Sequence, residues 1–285
     1  MIDSLRLAKI IDKDNNWIAE PKDTIVVQVG DQIDSCRPYL KNGKMYDCTQ
    51  PDTTYQDSVS DMKILNYFTE LNTKARKVGG RVISLIGNHE IMNVQGNFNY
   101  VSYAERESHN RLQFKPGGEK ATFLACTRLS CIVIGSSLFA HAGILPKLMT
   151  KFEVKDKYDL QKINTLIRKW LLNQIPDHIT DIINSTDFTP FWTRIFGNIT
   201  PQTNEATCDI YLNPVIKTLR IGHVIVGHTP QFYSHKKGIN SACDNKLWRV
   251  DVGLSKAFHP FDALNVKKET QVLEIIDDTI FKIIK

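Results

Sequence analysis

Four apolar runs in this chain end alike, on a small residue followed by a side chain that can hold a metal. TIVVQVG runs into Asp31, RVISLIG into Asn88, SLFA into His141 and VIVG into His228. A carboxylate, an amide oxygen and two imidazoles are a donor set for a hard-to-borderline divalent ion. One such ending means little. Four of them, just past the carboxyl ends of buried strands, converge on the rim where α/β folds place their sites. The neighbours add acid–base chemistry: GDQID puts Asp34 three residues after Asp31, and GNHE puts His89 directly after Asn88. A histidine beside a metal site can protonate a leaving oxygen if a carboxylate holds its other ring nitrogen, and Asp34 is the candidate for that carboxylate.

These residues need a sheet to carry them. Val- and Ile-rich runs predict strands at Thr24–Val29, Arg81–Ile86, Cys131–Ile134, Ser137–Ala140, Val224–Val226, Leu247–Val252, Gln271–Ile275 and Thr279–Ile284. Helical periodicity marks Asp3–Ile11, about Tyr55 to Lys77, and Leu160–Asn173. In the second, Ile64, Phe68, Leu71 and Ala75 form an apolar stripe that Gly79-Gly80 ends. Strands alternating with helices point to an α/β or α+β domain, and α/β is the expected class. It spans 1–285 as one unit, with a loop insertion near 37–51 and a helical, cap-like insertion near 146–200.

Composition narrows the class. The 285 residues carry 36 Lys and Arg against 31 Asp and Glu, a net +5, with no basic block or aromatic-interleaved stripe. Nothing in that pattern argues for nucleic acid. A hydrophobic share of 42% with 24% charged is a globular balance. No apolar run approaches the ~20 residues that span a bilayer, and the charged start is not a signal peptide. Six scattered cysteines without a C-x-x-C pair read as reduced thiols, Cys36 included, in a cytoplasmic chain without a membrane partner.

The order GDQID at 30–34, GNHE at 87–90, HAG at 141–143 and GHTPQ at 227–231 resembles the calcineurin-like metallophosphoesterases. FWTR at 191–194 and DVGLSKAF at 251–258 are similar to accessory motifs of their phosphoprotein phosphatase branch, especially the Shewanella-like protein phosphatases. The resemblance implies a four-layer sandwich, two mixed β-sheets flanked by helices. It also implies two divalent metal ions (Mn, or Fe/Zn). Asp31 bridges them, Asn88, His141 and His228 complete the second, His89 is the general acid oriented by Asp34, and Arg194 grips the phosphate. A metal-bound hydroxide then attacks phosphorus in line. The implied substrate is a phosphorylated protein or a small phosphoester.

Two departures temper this. The family's Arg directly after the second Asp is replaced here by Ser35 and Cys36, and Arg37 comes two places late. The family's first motif, G-D-x-H-G, is absent, since no histidine precedes His89. The expected fold therefore lacks its first strand, the first metal keeps only Asp31, and one metal and little activity are expected. The motif itself is expected upstream of Met1. Two alternatives share these residues: a dinucleoside polyphosphate hydrolase, and a degenerate, non-catalytic phosphate-binding module. His223 reads as structural, His109, His178, His235 and His259 as surface or packing residues, and Asp251 is unassigned.

Overall fold

The computed structural model describes every residue except 52, 54–59, 108–110, 176–182, 184, 186–188, 233–236 and 259–267. His109, His178, His235 and His259 thus lie outside the described residues. Two sheets carry the fold. The smaller has the order β1 (Ile25–Gln28), β4 (Arg81–Leu85), β5 (Arg128–Leu129), all parallel. The larger has the order β6 (Cys131–Ile134), β7 (Ser137–Ala140), β8 (His223–Val226), β10 (Leu247–Arg249), β9 (Asn240–Ala242) and is mixed. Two mixed sheets were expected. The described part of the smaller one is parallel because each of its connections returns through helix, and tight hairpins can join only antiparallel strands.

Helix α2 (Asp61–Arg76) makes the first of those returns. Ser60 caps it by accepting a hydrogen bond from the Lys63 amide, Asp61 sits in its first turn, and Lys74 and Arg76 sit in its last. Its buried stripe is Leu65, Phe68, Leu71 and Ala75; the last three pack with Leu5 of α1 (Ile2–Leu7) and Val82 of β4, and Leu65 joins the cluster of Ile33, Ile86 and Ile91. Asp3–Ile11 was expected to be helical throughout. It stops at Leu7 because Lys9 turns left-handed (φ 53°) and Ile11 bridges to Trp17.

The second return runs through α3 (Asn88–Val94), α4 (Tyr103–Glu107) and α5 (Glu119–Thr127). The larger sheet buries Leu138, Ala140, Val224, Val226 and Leu247 against α6 (Pro146–Lys151), the start of α7 (Gln161–Leu171) and α8 (Asn213–Leu219). The other half of α7, with Ile167, Trp170 and Leu171, packs on α3 and α5. The opposite face of the larger sheet presents Ile225 and Trp248 to a terminal hairpin of β11 (Val272–Ile276) and β12 (Ile280–Ile284). Three residues, Asp277 to Thr279, turn that hairpin, with φ of 51° and 59° at Asp277 and Asp278 and the Thr279 amide donating to the Ile276 carbonyl.

The stretch expected as a loop at 37–51 contains a hairpin, β2 (Tyr39–Lys41) with β3 (Lys44–Tyr46), turned at Asn42-Gly43. Its base is closed by a Cys36–Cys48 disulfide, and a second disulfide joins Cys208 to Cys243. The expectation of reduced thiols is corrected at these four positions. Spacing along the chain does not report proximity, and folding brings the Cα atoms to 5.9 and 5.6 Å, within bridging range. Cys126 and Cys131 are free. Alkylation of the unfolded, unreduced protein should therefore modify two thiols of the six, and reduction should lower stability by about 3 kcal/mol per closed loop. Six reactive thiols without reduction would contradict the pairing.

Candidate metal and acid–base site

The four sequence endings meet where the carboxyl ends of β1 and β4 face those of β7 and β8. His141 ties the sheets: its Nδ1 donates to the Val29 carbonyl at 2.7 Å, while its own carbonyl accepts from the Gly227 amide at 2.8 Å. Because a carbonyl can only accept, Nδ1 carries the hydrogen and Nε2 presents a lone pair. His228 is fixed the opposite way, with Nε2 donating to the Trp192 carbonyl at 3.1 Å and Nδ1 left bare. Those two bare nitrogens lie 3.2 Å apart and at 3.0 and 2.8 Å from Asn88 Oδ1, with Asp31 Oδ2 3.3 Å from His141 Nε2. Four side chains that can each offer an electron pair, converging this closely, fit a cation. Among the described residues, Asp31, His141 and His228 are the one group of His, Cys, Asp or Glu gathered within 4.8 Å.

Electrostatics agree. Burial alone would raise the Asp31 carboxyl, but His141 and His89 outweigh it and hold the group well below the usual carboxylate range. Burial, then the neighbouring His141, pulls His228 well below the usual imidazole value, while the Asp31 carboxylate raises His141 against its own burial, so a cation would displace a proton shared with Asp31. The loops that present these atoms are tight: a Cβ on Gly87 would overlap the Asp31 carboxylate, and one on Gly30 would lie 2.7 Å from the Gly87 nitrogen.

Beside this cluster stands the acid–base pair. His89 Nδ1 donates to Asp34 Oδ2 at 2.9 Å, with both side chains buried, which leaves Nε2 free and 4.0 Å from Asp31 Oδ2. Asp34 is held in turn by Asn93, whose Nδ2 donates to both carboxylate oxygens at 2.9 and 3.0 Å. Arg111 donates from Nη1 to Asn93 Oδ1 at 2.9 Å, pairs with buried Asp61, and comes within 3.8 Å of Asp34. Burial raises the Asp61 carboxyl to about 6, against the pull of Arg111.

Sequence reasoning missed Asn93, Asp61 and Arg111, and it quoted Glu90 without giving it a role. The fully buried Glu90 carboxylate accepts from the amides of Gly87 (2.6 Å), Asp31 (3.0 Å) and Gln32 (2.7 Å), locking the β1 and β4 loops together. Burial and the nearby Asp31 charge raise its carboxyl. Its signal was present as an acidic residue three places after a helix N-cap, the spacing of a capping box. Asn93 lies one turn after His89 but carries no motif. Arg111 and Asp61 are brought in from distant positions and could not be seen.

The arginines divide. Arg194 is exposed at the rim, its Nη1 donating to the His228 carbonyl at 3.2 Å. Arg37 folds back to donate to the Asp34 and Cys36 carbonyls at 2.8 Å each, its guanidinium between the Tyr100 and Phe258 rings at 5.3 and 5.0 Å. Tyr100 stacks edge-on against His89 at 5.0 Å, so Arg37 borders the site despite its displaced position. Asp251 lines one cavity together with Asp31, His89 and Arg37, its carboxyl raised chiefly by burial. His223 packs on Phe281 at 4.3 Å, away from the ligands.

Strand-end donors facing a buried His–Asp pair are the arrangement of a hydrolase of the phosphoesterase class. The chain belongs to the calcineurin-like phosphoesterase family, whose model matches residues 4–232. It is similar to an uncharacterized protein of Acanthamoeba polyphaga mimivirus, 42% identical over 249 residues that cover 76% of this chain and 97% of the relative. Shewanella-like protein phosphatase 2 of Arabidopsis thaliana is 22% identical over 98% of this chain and 75% of its own length. The fold matches the crystal structure of a cold-active protein-tyrosine phosphatase of a psychrophilic Shewanella species. That match has a TM-score of 0.65 at 21% identity and covers 99% of this chain and 75% of the other.

Two expectations follow. Glu90→Gln, which points an amide at backbone N–H groups, should weaken Zn²⁺ or Mn²⁺ binding by about 10–100-fold in equilibrium dialysis; unchanged affinity would remove Glu90 from the site's support. Arg111→Met should cost about 3–5 kcal/mol in urea unfolding by stranding Asp61, and Asp61→Asn in the same chain should recover part of it.

Proposed function

We propose that this chain hydrolyses phosphate monoesters, as a phosphatase acting on a phosphorylated protein or a small phosphoester, with His89 as general acid. The observation that carries the reading is the buried His89–Asp34 pair set directly against the converging donors of Asp31, Asn88, His141 and His228. A divalent cation held by those four, with Mn²⁺ our choice, supplies neutralisation of phosphoryl charge and activation of water when bound. The chain's own residues do the rest. Arg194 at the rim and Arg37 beside Tyr100 offer guanidinium groups to phosphoryl oxygens. Asp34 fixes His89 through Nδ1, which leaves Nε2 to face the leaving group and give up a proton there. The names of the Shewanella-like protein phosphatase relatives support a protein substrate.

A second metal position would have Asp31 alone among the ligands this reading assigns, so we infer slow turnover by the 285 residues on their own. Cytoplasmic residence was the expectation from the sequence. The Cys36–Cys48 and Cys208–Cys243 bridges weigh toward an oxidising setting instead, because a reducing cytoplasm opens such bonds.

Leaving groups test the acid. With Mn²⁺, His89→Ala should lower hydrolysis of phenyl phosphate by about 10²–10⁴-fold and that of p-nitrophenyl phosphate by much less, since a good leaving group needs little protonation. Equal losses on both substrates, or none, would contradict the assignment of His89. A phosphopeptide assayed beside diadenosine tetraphosphate separates a phosphatase from a dinucleoside polyphosphate hydrolase.

A further inference from the structure

Arg249 is a buried cation that no step of the proposed reaction uses. It ends β10 with 4% exposure, directly opposite Asn240 of β9 and beside Val226 of β8, the strand that leads to His228. Its Nε donates to Asn240 Oδ1 at 2.8 Å, and its Nη1 donates to the carbonyls of Gly197 and Ile199 at 3.2 and 3.1 Å. Burial lowers its proton affinity, and among the described residues no carboxylate restores it. A buried guanidinium without a counter-ion is costly, and a methionine would fill much the same volume without that cost. What distinguishes arginine at this position is its fork of donors and the backbone the fork holds.

That backbone is the turn that presents Arg194. It lies outside every described helix and strand, and the Asn198 amide closes it on the Arg194 carbonyl at 2.9 Å. Fully buried Gln231 donates from Nε2 to the same Gly197 carbonyl at 3.2 Å and to the Thr229 carbonyl at 2.8 Å. Its Oε1 accepts from Asn240 Nδ2 at 3.1 Å, so Arg249, Asn240 and Gln231 form one connected network that holds Gly197 twice. A Cβ on Gly197 would overlap Thr229 Oγ1, so the turn is pressed against the His228 loop. On its exposed side Arg194 Nη1 reaches the His228 carbonyl at 3.2 Å and Thr229 Oγ1 at 3.4 Å. After burial and His141, the Arg194 charge is the next influence that lowers His228.

We propose that Arg249 is the positioning residue for Arg194. By fixing the carbonyls of Gly197 and Ile199 it sets where that guanidinium stands beside His228, and so sets the affinity for a phosphoryl group that Arg249 never touches. The inference rests on the proposed grip of Arg194 on phosphate. An exposed arginine on an unfastened turn gives up backbone and side-chain freedom when it closes on an anion, and that loss subtracts from binding. With two carbonyls of the turn held in advance, only the side chain remains to be ordered. Asn240 orients the fork through Nε, and Gln231 ties the turn to the loop of His228, so the guanidinium and the metal donors keep one spacing.

Inorganic phosphate is the probe, titrated calorimetrically into the Mn²⁺-loaded 285-residue chain, so no turnover is needed. Arg194→Met should weaken binding by about 10–100-fold, the range for a charge-assisted hydrogen bond. Arg249→Met should weaken it by about tenfold. Both substitutions together should bind no more weakly than Arg194→Met alone, because a residue that acts through Arg194 then has nothing left to position. Asn240→Ala removes the Nε acceptor but keeps the buried charge; it should give the same cycle with a smaller loss, and it replaces Arg249→Met if that variant does not fold. Losses that multiply, as a general loosening of the site would produce, overturn the proposal. A loss on Arg194→Met with none on Arg249→Met, or on Asn240→Ala in its place, overturns the proposal alone. Unchanged affinity in Arg194→Met overturns it together with the grip assigned to Arg194.

Discussion

Everything around the site follows from the mutual approach of four atoms that all offer electron pairs: Asn88 Oδ1, His141 Nε2, His228 Nδ1 and an Asp31 carboxylate oxygen. Such atoms repel unless a cation stands among them, so the protein must hold them together by force of structure. The force is visible in the backbone. Asp31, Asp34 and His228 all sit in the left-handed region, at φ of 56°, 71° and 63°. That conformation costs a residue with a Cβ roughly 1–2 kcal/mol. Glu90 offsets part of that cost by taking three loop amides at once, and the Val29 and Trp192 carbonyls orient the two imidazoles from behind. A buried carboxylate with a raised proton affinity is thus kept because it fixes two metal loops relative to one another.

Helix α3 concentrates the consequences. In seven buried residues it supplies the proposed ligand Asn88, the proposed acid His89, the loop tether Glu90 and Asn93, which holds Asp34. Metal and proton chemistry are therefore rigidly coupled: a displacement of this one helix moves both. Arg111 adds a cation beneath the helix, between Asp34 and Asp61, and keeps two adjacent buried carboxylates from opposing each other. The sheets set the position of α3 because β4, the central strand of the smaller sheet, runs straight into it.

Much of this could be read in the chain because the informative residues are local to strand ends. All eight strands expected from apolar runs are present, two of them, Cys131–Ile134 and Ser137–Ala140, with unchanged bounds. The candidate ligands follow from what lies a few residues beyond them. The stripe on α2 was legible for the same reason, although Leu65 rather than Ile64 is its fully buried member. What escaped depends on contacts between distant residues. Both disulfides, the Arg111–Asp61 pair and the direction of the smaller sheet are set by tertiary proximity, which no local period encodes. The β2–β3 hairpin escaped for another reason: its strands are three residues each and largely polar or exposed, so they leave no alternation to detect.

The central claim, that His141 and His228 offer opposite ring nitrogens to one cation, can be measured directly. In the ¹⁵N-labelled chain loaded with ¹¹³Cd²⁺, a metal–nitrogen coupling is expected at Nε2 of His141 and at Nδ1 of His228, with the other nitrogen of each ring still bearing its hydrogen. Coupling through His141 Nδ1 or His228 Nε2, or no coupling to either ring, would contradict the account.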